Sequence, residues 1–177
     1  MTARLRRIYP FLLTGAGITA AAIPAPPVPE NLKAPATETV FLKALGKGRQ
    51  IYLCQALPGN ATKFDWVLEK PQADLLNAQG QRIGRHFEGP TWEAADGSKV
   101  VGEVQQRAPA PHAGAVPWLL LKARSHQGAG TFAGVTYIQR VDTVGGGAPV
   151  GGCDQFHAGK ETAIEYQADY YFYTARR

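Results

Sequence analysis

The sequence predicts an all-β protein, an antiparallel β-sandwich or barrel-like fold of about eight to ten strands with at most one or two short helices. Short apolar runs are separated by Gly, Pro and Asp-Gly turn signals. Helical periodicity is weak throughout, and only residues 37–45 carry a faint helical stripe. Residues 162–173 alternate apolar and polar side chains with a period of two. Together these observations favour strands joined by tight turns.

The predicted strands are evenly spaced along the chain. Asn77 to Gly80 predicts a hairpin loop, and Asp96-Gly97 predicts a turn. Pro71 is expected to end the second strand because proline cannot donate to a sheet ladder. The strand segments are residues 50–54, 64–68, 73–76, 82–87, 100–104, 116–123, 134–141 and 162–173.

The last predicted strand has one apolar face and one polar face. Its apolar face is expected to pack in the core and carries Ile164, Tyr166, Ala168, Tyr170 and Phe172. Tyr171 and Tyr173 lie on the other, polar face, where exposed rings would suit sugar or peptide stacking. Packing of these two rings against the rest of the protein is the alternative.

The N-terminus has the pattern of a signal peptide. Arg4, Arg6 and Arg7 precede an uncharged stretch over residues 8–23, which contains three small residues near its end, at positions 20–22. We predict a leader over residues 1–22 and an exported protein, periplasmic or extracellular; an uncleaved anchor is the alternative. No later apolar run approaches the roughly twenty residues of a spanning helix, so no stable membrane span is expected after cleavage.

The next segment, residues 23–36, is rich in proline. Proline fixes φ and removes amide donors, so an extended spacer, or an arm lying on the domain, is expected. Residues 37–177 are then predicted to form a single β domain.

The basic charge is mostly a property of the leader. The 19 Lys and Arg residues and 14 Asp and Glu residues give a net charge of +5. Three of the arginines fall in the leader and no acidic residue does, so cleavage leaves 16 basic residues and a net charge of +2. We therefore expect no nucleic-acid partner.

Cys54 and Cys153 are the two cysteines of the chain. In an exported protein an even count favours a disulfide. The alternative is a redox or metal-binding thiol pair, but neither cysteine belongs to a C-x-x-C motif or a histidine cluster. The glycine-rich residues 145–152 are predicted to deliver Cys153 to its partner.

The segment from His86 to Ser98 is the richest in chemistry-bearing side chains. A catalytic site would use His86 as a base or ligand with Glu88 or Glu93 as its carboxylate partner. A binding site would use Trp92 and Asp96 instead. The alternative is a structural corner in which the tryptophan fills the core and the aspartate makes the turn.

The order of segments resembles a family of exported proteins catalogued as domain of unknown function 3455. The resemblance spans about 125 residues, by the stretches quoted below, and implies an exported domain with both cysteines at family positions. It implies no particular activity. The similar stretches are residues 51–54 (IYLC), 84–93 (GRHFEGPTWE), 96–98 (DGS), 117–120 (PWLL), 136–141 (TYIQRV), 143–146 (TVGG), 148–149, 153–154 and 166–170 (YQADY).

Three functions remain open at this point. The leading hypothesis is an exported, disulfide-bonded β-domain that binds a ligand, such as carbohydrate or a component of the cell envelope. The second is a secreted hydrolase or metal-dependent enzyme at His86, Glu88 and Glu93, and the third is a structural envelope protein. No cofactor is predicted, since the one dinucleotide-like glycine pattern falls in the leader. No metal is predicted, since the four histidines are widely spaced and form no i,i+2 or i,i+4 pair.

Overall fold

The computed structural model describes residues 22–176, so the predicted leader lies almost wholly outside the described residues. A single 3-10 turn at Glu30–Leu32 precedes eight strands. No helix within residues 22–176 has the length and apolarity needed to cross a membrane. The strands are β1 (Glu38–Leu57), β2 (Asn60–Leu76), β3 (Arg82–Phe87), β4 (Thr91–Ala94), β5 (Lys99–Ala108), β6 (Trp118–Gln127), β7 (Tyr137–Gly145) and β8 (Glu161–Ala175).

The strands form one closed antiparallel barrel. Each strand pairs with the next in sequence, and β8 returns to pair with β1 along most of its length. The all-β prediction is confirmed, in its barrel-like form and at the lower end of the predicted strand count. A barrel of this size has an interior that side chains can fill or that can hold one small ligand.

Side-chain alternation along β8 separates the interior of the barrel from its surface, as predicted. Tyr166, Ala168, Tyr170 and Phe172 are all buried in the interior core. Their neighbours in sequence point outward, so the period of two in this segment correctly identified the core face.

Two local predictions are wrong. β2 does not end at Pro71 but continues to Leu76. Pro71 pairs with Gln50 beside a register shift between Ile51 and Tyr52, an irregular place where a missing amide donor is tolerated.

The faint helical stripe over residues 37–45 belongs to the first part of β1. The pairing of β1 with β8 shifts between Val40 and Leu42. As a result Val40 packs on the outer surface while Leu42 packs against the interior core. This bulge breaks the strict alternation of a strand and imitates a helical pattern.

The proline-rich arm lies on the outside of the barrel. Ile23, Val28 and Ala34 pack against an outer cluster that includes Val141. Leu32 is fully buried, and its carbonyl accepts a hydrogen bond from the Gln139 side chain at 2.5 Å. The arm therefore covers apolar strand surface that would otherwise face water.

One end of the barrel is closed by a hydrogen-bonded plug. Asp96 accepts bonds from the backbone and hydroxyl of Ser98 and of Thr131, at 2.5 to 2.9 Å. The Ser98 hydroxyl accepts a bond from the Phe132 amide at 3.0 Å. Phe132 stacks on Phe172 with ring centroids 4.7 Å apart. We call this the closed end.

The predicted disulfide is confirmed and lies toward the opposite end. Cys54 of β1 is bonded to Cys153 in the connection between β7 and β8. The bond spans 99 residues, and the chain-entropy model gives about 4–5 kcal/mol for such a loop as an upper figure. Trp66 donates its indole N–H to the Gly151 carbonyl at 2.8 Å, which further attaches this connection to β2.

Candidate functional site

A cavity of about 510 Å³ occupies the half of the barrel away from the plug. It opens to solvent, because Leu68 and Arg107 line it and are exposed. We call this the open end. Most of its wall is apolar, formed by Leu68, Pro71, Pro90, Val104, Val116, Pro117, Leu119 and Leu121. Its polar groups come from Gln50, Tyr52, Glu69, His86, Trp92, Arg107, Arg140 and Tyr170.

Glycines shape the wall of the cavity. A Cβ at Gly46 would lie 2.4 Å from the Tyr170 ring, so glycine leaves the space that this ring fills. Gly146 has a φ of +79° and crosses directly above Gln50, where a Cβ would lie 3.1 Å from the Gln50 Cγ. The Gly146 carbonyl accepts the Tyr52 hydroxyl at 2.6 Å. The connection between β7 and β8 therefore lies close over Gln50.

Gln50 is the most unusual side chain of the cavity. It is 1% exposed, and neither its amide nitrogen nor its amide oxygen has a hydrogen-bond partner among the described residues. Leaving a buried polar group unpaired costs about 1–3 kcal/mol. Buried amides are normally paired, so this one lacks the internal partners that folding usually supplies.

His86 and Trp92 form an aromatic pair on the cavity wall. They face each other across β3 and β4, with ring centroids 4.4 Å apart and planes only 9° from parallel. His86 Nδ1 lies 2.9 Å from the Thr91 carbonyl, which can only accept, so Nδ1 carries the proton. Burial lowers the pKa of His86 to about 3. The ring is therefore neutral at ordinary pH, with Nε2 free to accept.

The third polar group of the wall is a tyrosine beside an arginine. Tyr170 lies edge-on to the rings of His86 and Trp92, at 5.3 and 5.6 Å. Its hydroxyl is 3.2 Å from that of Tyr166. Burial raises the pKa of Tyr170, so the hydroxyl stays protonated. Arg140 pairs with Tyr170 across β7 and β8 and also lines the cavity.

The structure separates the predicted catalytic residues. His86 points into the barrel, whereas Glu93 lies on the outer face and pairs with Arg85 at 2.6 Å. Glu88 is exposed on the turn between β3 and β4. Within residues 22–176 no group of three or more His, Cys, Asp or Glu side chains is placed to hold a metal ion. The three residues therefore do not form a unit.

The predicted binding residues are also dispersed. Trp92 lines the cavity, and its indole nitrogen is buried without a partner. Asp96 belongs to the plug, where hydrogen bonds from Ser98 and Thr131 hold its pKa well below the usual range. Tyr171 and Tyr173 are buried in the outer cluster beneath the arm, 8% and 3% exposed.

Sequence reasoning missed Gln50 and Arg140. Each is a polar residue at a position whose neighbours two residues away, Tyr52 and Ile138, face the barrel interior. The available signal was a polar side chain at a position that strand alternation assigns to the interior face. It was not decisive without knowing which strand ends meet at a cavity.

Fold and site together define a disulfide-bonded, eight-stranded antiparallel barrel with one plugged end and one end that opens into a cavity. A family model with the description "Protein of unknown function (DUF3455)" matches residues 35–174. The chain belongs to this family, as its sequence motifs predicted. No curated protein and no solved structure matches it.

Proposed function

We propose that the protein is an exported binding domain that takes up a small molecule with an apolar body in the cavity of the barrel. The observation that carries the proposal is the side chain of Gln50, buried in an apolar cavity with both of its polar atoms unpartnered. Small-molecule sites are typically concave and mostly apolar, with a few placed polar groups. A volume of about 510 Å³ falls within their usual range.

The wall favours an apolar ligand over a carbohydrate. Sugars bind proteins by stacking on open aromatic faces. The Trp92 ring is itself covered by His86, and Tyr171 and Tyr173 lie beneath the arm. Leucine, valine and proline side chains form most of the surface that a ligand would touch.

Export is part of the proposal. The leader pattern of residues 1–22 and a disulfide between Cys54 and Cys153 both suit an oxidising compartment outside the cytoplasm. Intact mass of the protein secreted by expressing cells should correspond to a chain beginning near Ile23. A secreted chain that retains Met1 would contradict cleavage.

Binding is tested with the neutral fluorescent probe N-phenylnaphthylamine and the purified mature protein. Saturable binding at one site per chain is expected. Val104→Trp, which places an indole in the cavity, should weaken this binding about tenfold or more because the probe and the new ring would occupy the same space.

The matched control is Val144→Trp. Val144 lies on the outer surface of β7 and is 53% exposed, so this indole should leave binding unchanged. Equal affinity of the Val104→Trp variant and the wild-type protein would place the probe outside the cavity. Absence of saturable binding to the wild-type protein would refute the proposed function.

A further inference from the structure

We propose that the ligand of the cavity carries a carboxylate, which the guanidinium of Arg140 binds inside the barrel. This inference rests on the proposed function and adds the chemistry of the head group. It starts from the position of one guanidinium on a mostly apolar wall.

Hydrogen bonds hold Arg140 in place. Its Nε and Nη2 both donate to the Pro117 carbonyl, at 3.1 and 2.8 Å. A guanidinium has five N–H donors; two go to Pro117 and Tyr170 is a further hydrogen-bond partner of Arg140, so two remain for another acceptor. Because the Pro117 carbonyl fixes the plane of the group, those donors have a defined direction before any ligand arrives.

No carboxylate neutralises this charge. Among the described residues, no Asp or Glu oxygen lies within 4.0 Å of an Arg140 nitrogen, whereas eight other basic side chains have such a partner. Glu69 also lines the cavity, but it pairs with Lys70 at 3.1 Å. A cation beside a low-dielectric cavity favours an anion as its partner.

The buried titratable groups of the wall, Tyr52, His86 and Tyr170, are neutral. Burial is the main influence on their pKa values, raising those of Tyr52 and Tyr170 and lowering that of His86. The charge of Arg140 also acts on all three, in the direction that lowers the pKa. The charge of Arg140 therefore acts on these three buried groups, and none of the three carries a negative charge that would offset it.

The donor set suits a carboxylate. A guanidinium can form two parallel hydrogen bonds to the two oxygens of a planar carboxylate. A phosphate dianion would bring a second charge. Among the described residues that line the cavity, Arg107 is the one other positively charged side chain, and it is exposed. One fixed cation beside apolar walls thus matches a singly charged acid with an apolar body.

The experiment compares decanoate with methyl decanoate as competitors of bound N-phenylnaphthylamine. The two competitors share one apolar chain and differ in head-group charge. In the wild-type protein, decanoate should displace the probe at about tenfold lower concentration, as expected for one charge-assisted contact. Arg140→Met should abolish this preference, because decanoate would lose its charge-assisted contact. Arg140→Lys should retain part of the preference.

Arg124→Met is the matched control, since Arg124 is exposed on β6 and is not among the residues that line the cavity; the preference for decanoate should persist. Equal displacement by acid and ester in the wild-type protein would overturn the inference, whether or not the variants fold. So would an unchanged preference in Arg140→Met, or stronger displacement by decyl phosphate than by decanoate. If the probe binds but decanoate and methyl decanoate displace it equally, the proposed function stands and only this inference fails.

Discussion

The two ends of the barrel treat buried polar groups in opposite ways. At the closed end, the hydroxyl of Ser98 donates to Asp96 and accepts from the Phe132 amide. At the open end, the amide of Gln50 and the indole nitrogen of Trp92 have no partner. Polar groups that serve folding are paired within the chain. Gln50 and Trp92 line the cavity, whereas a third unpaired group, the indole nitrogen of Trp118, belongs to the outer cluster.

The pKa values show the same contrast. The pKa of Asp96 is lowered because hydrogen bonds from Ser98 and Thr131 stabilise its charged form. The pKa of His86 is lowered because burial destabilises its charged form. A lowered pKa thus marks a stabilised anion at the closed end and a suppressed cation at the open end.

The largest expected loss of stability comes from a substitution in the plug. Phe132→Ala removes a ring that is 1% exposed and stacked on Phe172, which should lower the free energy of unfolding by about 3–5 kcal/mol. Leu119→Ala, at the cavity wall, should cost less, about 1–2 kcal/mol, because its side chain already borders empty space. Urea unfolding of both variants measures the difference. An equal loss in the two variants would contradict a division into a packed end and an open end.

A change of pH is expected to have an intermediate effect on the free energy of unfolding. Below pH 6.5 the unfolded chain protonates His86, while the folded protein does not until about pH 3. The unfolded state then binds more protons, so stability falls as the pH falls through this window. Between pH 7 and about pH 4 this contribution is about 3 kcal/mol.

His86→Phe retains a ring against Trp92 and should remove this part of the pH dependence. Urea unfolding at several pH values measures the pH dependence of the free energy of unfolding. The carboxylates present in both proteins contribute equally, so the difference between the two curves belongs to His86. Parallel stability curves for the variant and the wild-type protein would show that folding does not lower the pKa of His86.

The smallest expected effects are two changes in the free energy of unfolding, which differ in sign. Gln50→Leu removes an unpartnered buried amide and should leave stability unchanged or raise it by about 1 kcal/mol. Ser98→Ala, with a comparably buried but fully paired side chain, should lower it by about 1–3 kcal/mol because the Phe132 amide loses its acceptor. Thermal unfolding of both variants tests this. A loss of more than about 1 kcal/mol in Gln50→Leu would mean that its amide is paired within the protein.

Local patterns predicted the parts of the fold that depend on neighbours in sequence. The hairpin loop at Asn77 is confirmed: the Asn77 side chain accepts hydrogen bonds from the backbone amides of Gln79 and Gln81. The alternation in β8 and the turn at Asp96-Gly97 are confirmed for the same reason. Predictions failed at Pro71 and over residues 37–45, where register shifts against a partner strand override the local pattern.

The candidate site was predictable only in part. His86 and Trp92 were recognised as a cluster and do line the cavity together. Glu93 was grouped with them because it is near in sequence, but strand alternation turns it to the opposite face. Gln50 and Arg140 lie 90 residues apart in the chain, so no sequence spacing could associate them.

The sequence by itself determined the all-β class, the positions of most strands, the cysteine pair and the family, because each depends on composition, local periodicity or motif order. Only the tertiary structure decided that the sheet closes into a barrel, which end is plugged and which polar side chains meet at the cavity. Those features depend on register between strands distant in sequence. A shift of one residue in that register would turn Gln50 or Arg140 from the interior to the surface.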